Sequence, residues 1–315
     1  MNRATAKKPL GSFAQEIWRK RALYSMALPG LVLFFLFNYL PMAGLVIAFK
    51  NYRFSEGLFG SAWMSPIYKN FEFFFASGAF LNLTRNTLLM NAAFIAFGTL
   101  VSVAIAIMFN EMMFSRMKKL LQAGMLMPYF LSWIVVGIFA YAMFNYDYGL
   151  VNTMLSRFGA EPVNWYNSPN AWPPILIIIH IWKNTGYSSI IYIAVLAGID
   201  PAYYEAARID GASKMQQIRY ISLPLLYPTI TTMALLAVGK IMNADFGMFY
   251  SIIGQNPMLY PATDVIDTYV YRTLRTLGDV GMSSAVGFYQ SCVAFALVLL
   301  SNYVARRVQP DGSLF

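Results

Sequence analysis

Few residues of this 315-residue chain have side chains able to do chemistry, and the most notable of them lie inside apolar runs. His180, Lys183, Asn184 and Tyr187 are spaced i, i+3, i+4 and i+7, which places all four along one stripe of a helix. Lys240, Asn243 and Gly247 repeat the i, i+3, i+7 spacing. A lysine at the centre of a bilayer costs about 2.5 to 3.5 kcal/mol on insertion scales. Such groups therefore face a bundle interior, a water-filled path or, by snorkelling, an interface. Two polar stripes on neighbouring helices predict the lining of a shared pathway. The competing reading is bonding between helices, or for Lys240 a reach to the interface. His180 alone reads as a packed imidazole with a satisfied partner. It has no acid or nucleophile matched to it, and no group of His, Cys and carboxylates has metal-ligand spacing.

The elements that must position these groups follow from composition. Hydrophobic residues make up 58% of the chain, aromatics 17% and charged residues only 12%, and the mean hydropathy of +0.52 lies outside the range of soluble domains. The chain reads as an all-α integral membrane protein. Runs near 25–48, 86–109, 120–144, 174–199, 225–242 and 284–305 are each long enough to cross a bilayer as a helix. The first is too long and too rich in aromatics and prolines for a cleaved signal peptide. The lone Cys292 sits in an apolar run and is expected only to pack.

Placement of the +9 net charge matters more than its size, and argues against nucleic acid as a partner. Arg3, Lys7, Lys8, Arg19, Lys20 and Arg21 precede the first run, and the 110–119, 200–222 and C-terminal segments add more. The side holding the termini carries roughly twice as many Lys and Arg as the other, so the positive-inside rule predicts cytoplasmic termini. Three domains follow: a cytoplasmic tail (1–24) with an amphipathic "SFAQEIWRKRALYS" at the inner leaflet, a six-helix domain (25–305) and a short cytoplasmic tail (306–315).

The cytoplasmic segment 200–224 holds the strongest pattern. Asp200 followed by Pro201 starts a helix, Gly211 interrupts it, Ser213 caps a second one and Pro224 marks entry to the fifth span. Ala206 and Ala207 let another backbone come close, while Glu205, Arg208 and Asp210 offer charges, as a docking knob requires. An ordinary connecting helix pair has the same local signals. The spacing of Glu205, Ala206, Ala207, Gly211, Ile221, Leu223 and Pro224 resembles, without departure, the EAA motif of permease subunits in binding-protein-dependent ABC importers. Further stretches ("FNYLPMAGLVIAFKNYRF", "NFEFFF", "RNTLL", "GLVNTML", "DVIDTYVYR") extend the likeness over nearly the whole chain, to the carbohydrate branch and its oligosaccharide and alginate subgroup.

That resemblance implies a type I importer permease in the bacterial cytoplasmic (inner) membrane, not an enzyme. Segment 200–224 would be the coupling helix, with Glu205, Ala206, Ala207, Arg208, Asp210 and Gly211 as its contact and turn residues. Implied partners are a second, non-identical permease, two ATPase subunits that bind ATP and Mg, an extracytoplasmic solute-binding protein received by the outward loops 50–85, 145–173 and 243–283, and an oligosaccharide cargo. No phosphate-binding loop is present in this sequence, and no cofactor is expected in the chain. For such cargo the pathway set is Lys183, Asn184, Tyr187, Lys240, Asn243 and Phe246, with Trp182 and Tyr250 as further aromatic faces. Lys183 and Lys240 would favour anionic cargo such as a uronate oligosaccharide. Two other classes have requirements of their own. A secondary transporter usually needs a membrane-embedded carboxylate, and none lies within the six spans, Asp245 falling at an end. An integral membrane enzyme acting on lipid-linked sugars needs a partner for His180.

Overall fold

The computed structural model describes residues 18–308, with side chains to Tyr303. Residues 12–17 of the expected inner-leaflet helix and most of the C-terminal tail lie outside the described residues. Helix α1 (Arg21–Phe34) begins before the expected boundary at residue 25 and continues through Phe35–Tyr39 and Leu40–Phe49. Pro41 cannot donate and its ring crowds the carbonyl four residues back. The helix accordingly widens to a π turn over Phe35–Tyr39 and tightens to 3-10 geometry over Leu40–Phe49.

After α2 (Lys69–Ala76) comes α3 (Ala79–Glu111), a 33-residue helix. At 1.5 Å per residue it spans about 50 Å, well beyond a hydrocarbon core of about 30 Å. The expected single span 120–144 is instead two helices, α4 (Ser115–Phe130) and α5 (Trp133–Phe144), bent by 96°. Leu131 and Ser132 are extended, and the Ser132 hydroxyl caps α5 by accepting from the Val135 N–H at 3.4 Å. Helix α6 (Leu150–Arg157) precedes α7 (Trp172–Ala197), and α8 (Pro201–Ile209) follows with a bend of 68°. Helix α9 (Lys214–Gln217) leads through a π turn into α10 (Leu223–Val238).

The fifth span ends at Val238 rather than near residue 242, so Lys240 and Asn243 sit on a turn and share no helical face with Gly247. Neighbouring side chains satisfy the backbone that a longer helix would have paired internally. The Asn91 amide donates to the Ile241 carbonyl at 2.8 Å, and the Gln290 amide to that of Met242 at 2.6 Å. Asp267 accepts from the Ala244 N–H at 2.8 Å. Burial pushes the Asp267 carboxyl up from its ordinary value, against the pull of the Ala244 and Gln290 donors. Helices α11 (Phe246–Ile253), α12 (Ile266–Leu277) and α13 (Val280–Val308) complete the chain.

Among the described residues, Arg21–Phe49, Ala79–Glu111, Lys214–Val238 and Val280–Tyr303 are long and apolar enough to cross a membrane, and the two bent pairs raise the number to as many as 6. Helix α3 packs along α7, α5 against α11, and α13 against both Leu40–Phe49 and α12. Between lipid-embedded helices, close fit replaces the hydrophobic effect as the source of stability. Two glycines make that fit possible. A Cβ on Gly186 of α7 would lie 1.9 Å from the Met125 carbonyl oxygen of α4, and one on Gly137 of α5 would lie 2.4 Å from the Ser251 carbonyl oxygen of α11.

Candidate functional site

Helices α3 and α7, the end of α10 and the 240–245 turn enclose a polar cavity of about 340 Å³. Helix α7 supplies His180 and Asn184, and the turn supplies Lys240, Asn243 and Asp245. The His180 ring stacks on Phe94 of α3, with centroids 4.2 Å apart and planes 13° from parallel. Its Nδ1 and the Ser102 hydroxyl, both buried, have no hydrogen-bond partner among the described residues. Asn184, Lys240, Asn243 and Asp245 on its wall suit a space that takes water or a hydroxyl-rich solute.

The α7 stripe divides between two neighbours. At about 100° per residue, Asn184 lies roughly 40° to one side of His180, whereas Tyr187 and Lys183 lie roughly 20° and 60° to the other. His180 and Asn184 face the cavity, and the other two turn to the broken helix. The Tyr187 ring stacks on Tyr129 at 4.3 Å. The Lys183 ammonium donates to the carbonyls of Tyr129 at 2.7 Å and Pro128 at 3.4 Å, and lies over the rings of Tyr129 and Trp133. It is buried and caps the C-terminal end of α4, where helix carbonyls lack internal partners and carry partial negative charge.

This geometry does not join Lys183 to Lys240 as two free cations in one space. Lys183→Met is therefore expected to lower stability by about 2 kcal/mol, through carbonyls left unpaired. It should leave the relative handling of acidic and neutral solutes unchanged. Thermal unfolding of the purified variant, with transport of both solute types, checks this; native stability with a lost preference for acid would contradict it.

Phe246 lies outside the cavity, stacked on Tyr250 at 5.1 Å in a groove of about 820 Å³ that Trp133, Tyr141 and Tyr166 also line. Trp182 lines a separate, apolar groove with Phe139 and Ile178. Asp245 of the cavity wall reaches a residue of the aromatic groove: its carboxylate accepts from the Trp133 indole N–H at 2.7 Å, and from the Met248 N–H at 3.2 Å. Reading the spans by hydropathy leaves Asp245 out of the site because it falls past the end of α10. The signal for it is its N-cap position before "FGMF".

The α8–α9 segment projects at the far end of α7. The Asp200 carboxylate caps α8 by accepting from the Ala202 N–H at 2.9 Å, and Ser213 and Gln216 form a capping box for α9. Between them Gly211 holds a left-handed φ of 78°. The Ala212 N–H reaches the Ala207 carbonyl at 2.8 Å and the Gly211 N–H that of Arg208 at 3.1 Å, the paired bonds of a Schellman turn. Glu205, Ala206, Arg208, Asp210 and Gly211 are exposed and Ala207 half-buried. The exposed face also carries Tyr203, Met215 and an Ile209 that is 86% exposed. Behind it, Lys214 pairs with Glu111 at the tip of α3 at 2.6 Å, and the hydroxyls of Tyr204 and Ser222 are 2.9 Å apart. The segment is thus a preformed surface, fixed to both α3 and α10.

Known proteins share this arrangement. Residues 98–310 match the family described as "binding-protein-dependent transport system inner membrane component". The polygalacturonan/rhamnogalacturonan transport system permease protein YteP of Bacillus subtilis (strain 168) is 33% identical over 94% of this chain and 91% of its own. Among solved structures, the bacterial ABC transporter involved in import of the acidic polysaccharide alginate matches with a TM-score of 0.85 at 32% identity, over 95% of this chain and 99% of that one. The bacterial alginate ABC transporter in complex with an alginate pentasaccharide-bound periplasmic protein matches with a TM-score of 0.83 at 33% identity, over 93% and 97%. The chain is a multi-pass membrane transport subunit, and it belongs to the family of binding-protein-dependent transport system inner membrane components.

Proposed function

We propose that this chain is one of two non-identical permeases in an ATP-driven importer of oligosaccharides or polysaccharide fragments. It lies in the bacterial cytoplasmic membrane with both termini and the α8–α9 segment in the cytoplasm. The observation that carries this reading is the rigid, exposed α8–Gly211–α9 pair, held to α3 through Lys214 and Glu111 and to α10 through Tyr204 and Ser222. A part that must transmit movement needs a contact face and stiff attachments, and this segment has both. Glu205, Ala206, Ala207, Arg208, Asp210 and Gly211 form the joint to partner ATPase subunits, which bind ATP and Mg. A solute-binding protein docks at the opposite end of the bundle. Closure of the ATPase pair moves the joint, and the two permeases alternate between outward and inward access.

Asn184, Lys240 and Asn243, with His180 and Asp245, serve as pathway lining in this chain, and Phe246 and Tyr250 as aromatic faces. Similarity to a polygalacturonan/rhamnogalacturonan permease and to an importer of the acidic polysaccharide alginate supports an anionic cargo. A carboxylate-coupled secondary transporter fits less well, because Asp245 already accepts a donor on each of its oxygens. The test is reconstitution with partner subunits in liposomes. Loaded binding protein should stimulate ATP hydrolysis and saccharide uptake together; saccharide uptake by the chain without an ATPase would overturn the reading.

A further inference from the structure

At the end of the bundle far from α8, α11 and α12 enclose a second cavity, of about 70 Å³, that the pathway described above does not use. Its walls include Tyr250, Gln255, Tyr271, Arg272, Arg275 and Asp264. Two of these charges cancel: both Arg272 guanidinium nitrogens bind the Asp264 carboxylate, and Arg272 also lies 4.1 Å over the Tyr260 ring. Arg275, one turn further along α12, is exposed and has no acidic partner among the described residues. The Gln255 amide is likewise without a protein partner there. The cavity therefore has a net positive wall, a free fork of N–H donors and a free amide.

Tyr250, Ile253 and Gly254 line both this cavity and the 820 Å³ aromatic groove, so the two lie side by side with Tyr250 between them. Its ring packs against Phe246 and edge-on to Tyr271, at 5.1 and 5.2 Å. That packing holds the tyrosine face in place for a ligand. A cavity of this size takes a carboxylate and a hydroxyl but not a whole sugar ring, so the ring lies over its mouth against Tyr250 and the chain of sugars runs into the groove. Guanidinium recognises carboxylate with paired, charge-assisted hydrogen bonds that an ester or a neutral sugar cannot replace.

We propose that the α11–α12 cavity is a binding subsite for one acidic sugar unit at the outer end of the pathway, with Arg275 holding its carboxylate, Gln255 a hydroxyl, and Tyr250 its ring face. This rests on the saccharide importer reading above. The test uses the complete permease–ATPase complex in nanodiscs, without binding protein, titrated with short oligogalacturonates and oligoalginates and with their methyl esters. The native complex is expected to bind the acids more tightly than the esters. Arg275→Gln should weaken the acids roughly tenfold and leave the esters unchanged. Arg275→Lys, which keeps the charge but loses the fork, should fall between the two, and the melting temperature of both variants should match the native one.

Equal weakening of acid and ester, or no change in either, overturns the subsite while saccharide uptake in liposomes leaves the importer reading intact. If the native complex binds none of these sugars and liposomes show no saccharide uptake, the importer reading falls and this inference with it.

Discussion

Gly186→Ala is expected to destabilise the chain by about 3 kcal/mol and to lower its melting temperature in detergent, an unusual cost for one added methyl group. The new Cβ would stand 1.9 Å from the Met125 carbonyl oxygen and 2.5 Å from its carbonyl carbon, both backbone atoms with no rotamer to escape into. Nor can α4 retreat freely. Two residues beyond Leu126 its end is held by Lys183, through the carbonyls of Pro128 and Tyr129. The whole crossing of α4 and α7 must open, and the clamp at the helix break opens with it. Gly124→Ala, on the same helix one residue before Met125, is the control. A Cβ there meets nothing within 4 Å, and alanine favours helix over glycine by up to about 1 kcal/mol. Thermal unfolding of the two variants should therefore move in opposite directions. A Gly186→Ala protein that melts like the native one would show that this crossing is not tight.

Gly211→Pro should abolish the stimulation of ATP hydrolysis by loaded binding protein while the subunits still assemble through their membrane helices. Proline cannot adopt the φ of 78° found there, and it removes the N–H that bonds the Arg208 carbonyl. A local cost of about 3 kcal/mol shifts the balance against the ordered turn by roughly a hundredfold. Helix α8 then loses its fixed angle to α9, and with it the proposed contact to the motor. Gly211→Ala makes the measurement quantitative. Alanine retains the N–H and meets no neighbour within 4 Å, so only the left-handed backbone opposes it. Its cost of about 1 kcal/mol should leave most of the stimulation intact. ATPase assays on the two variants, with assembly followed by size-exclusion chromatography, distinguish loss of coupling from loss of the complex. Full stimulation in the proline variant would remove the segment from the transmission path.

Several features were legible from residue patterns because they depend on local chemistry. Helices α3 and α13 follow from unbroken apolar length. The α8–Gly211–α9 turn follows from Asp200 and Ser213, which accept backbone N–H groups, from Pro201, which has no N–H to leave unpaired at the helix start, and from Gly211, which takes the left-handed φ. Other features depend on distant partners and left no such mark. The 96° break between α4 and α5 escapes hydropathy, because a mean over a window does not register where direction changes. Its stability comes from Lys183, more than fifty positions away in the chain. The early end of α10 is imposed by Asn91, Asp267 and Gln290, on three other helices. In the site, Asn184 shares a cavity wall with Lys240 and Asn243, a nearness that polarity at a common depth suggests. The direction of Lys183 leaves no such mark, since a buried lysine reads the same whether its ammonium meets a solute or a carbonyl.

The packing of the first span has a consequence for biosynthesis. Within the described residues, the main partner of Leu40–Phe49 is α13, where Phe49 meets Phe288, so this span rests on a helix that emerges long after it. At about 5 to 20 residues per second, roughly 230 further residues take on the order of 10 to 50 s to synthesise. Throughout that interval this span is inserted but unpartnered by α13, and only the arrival of α13 closes their contact. Nascent chains arrested before Val280 should carry a first span that lipids and insertion machinery, rather than the rest of the protein, hold in place.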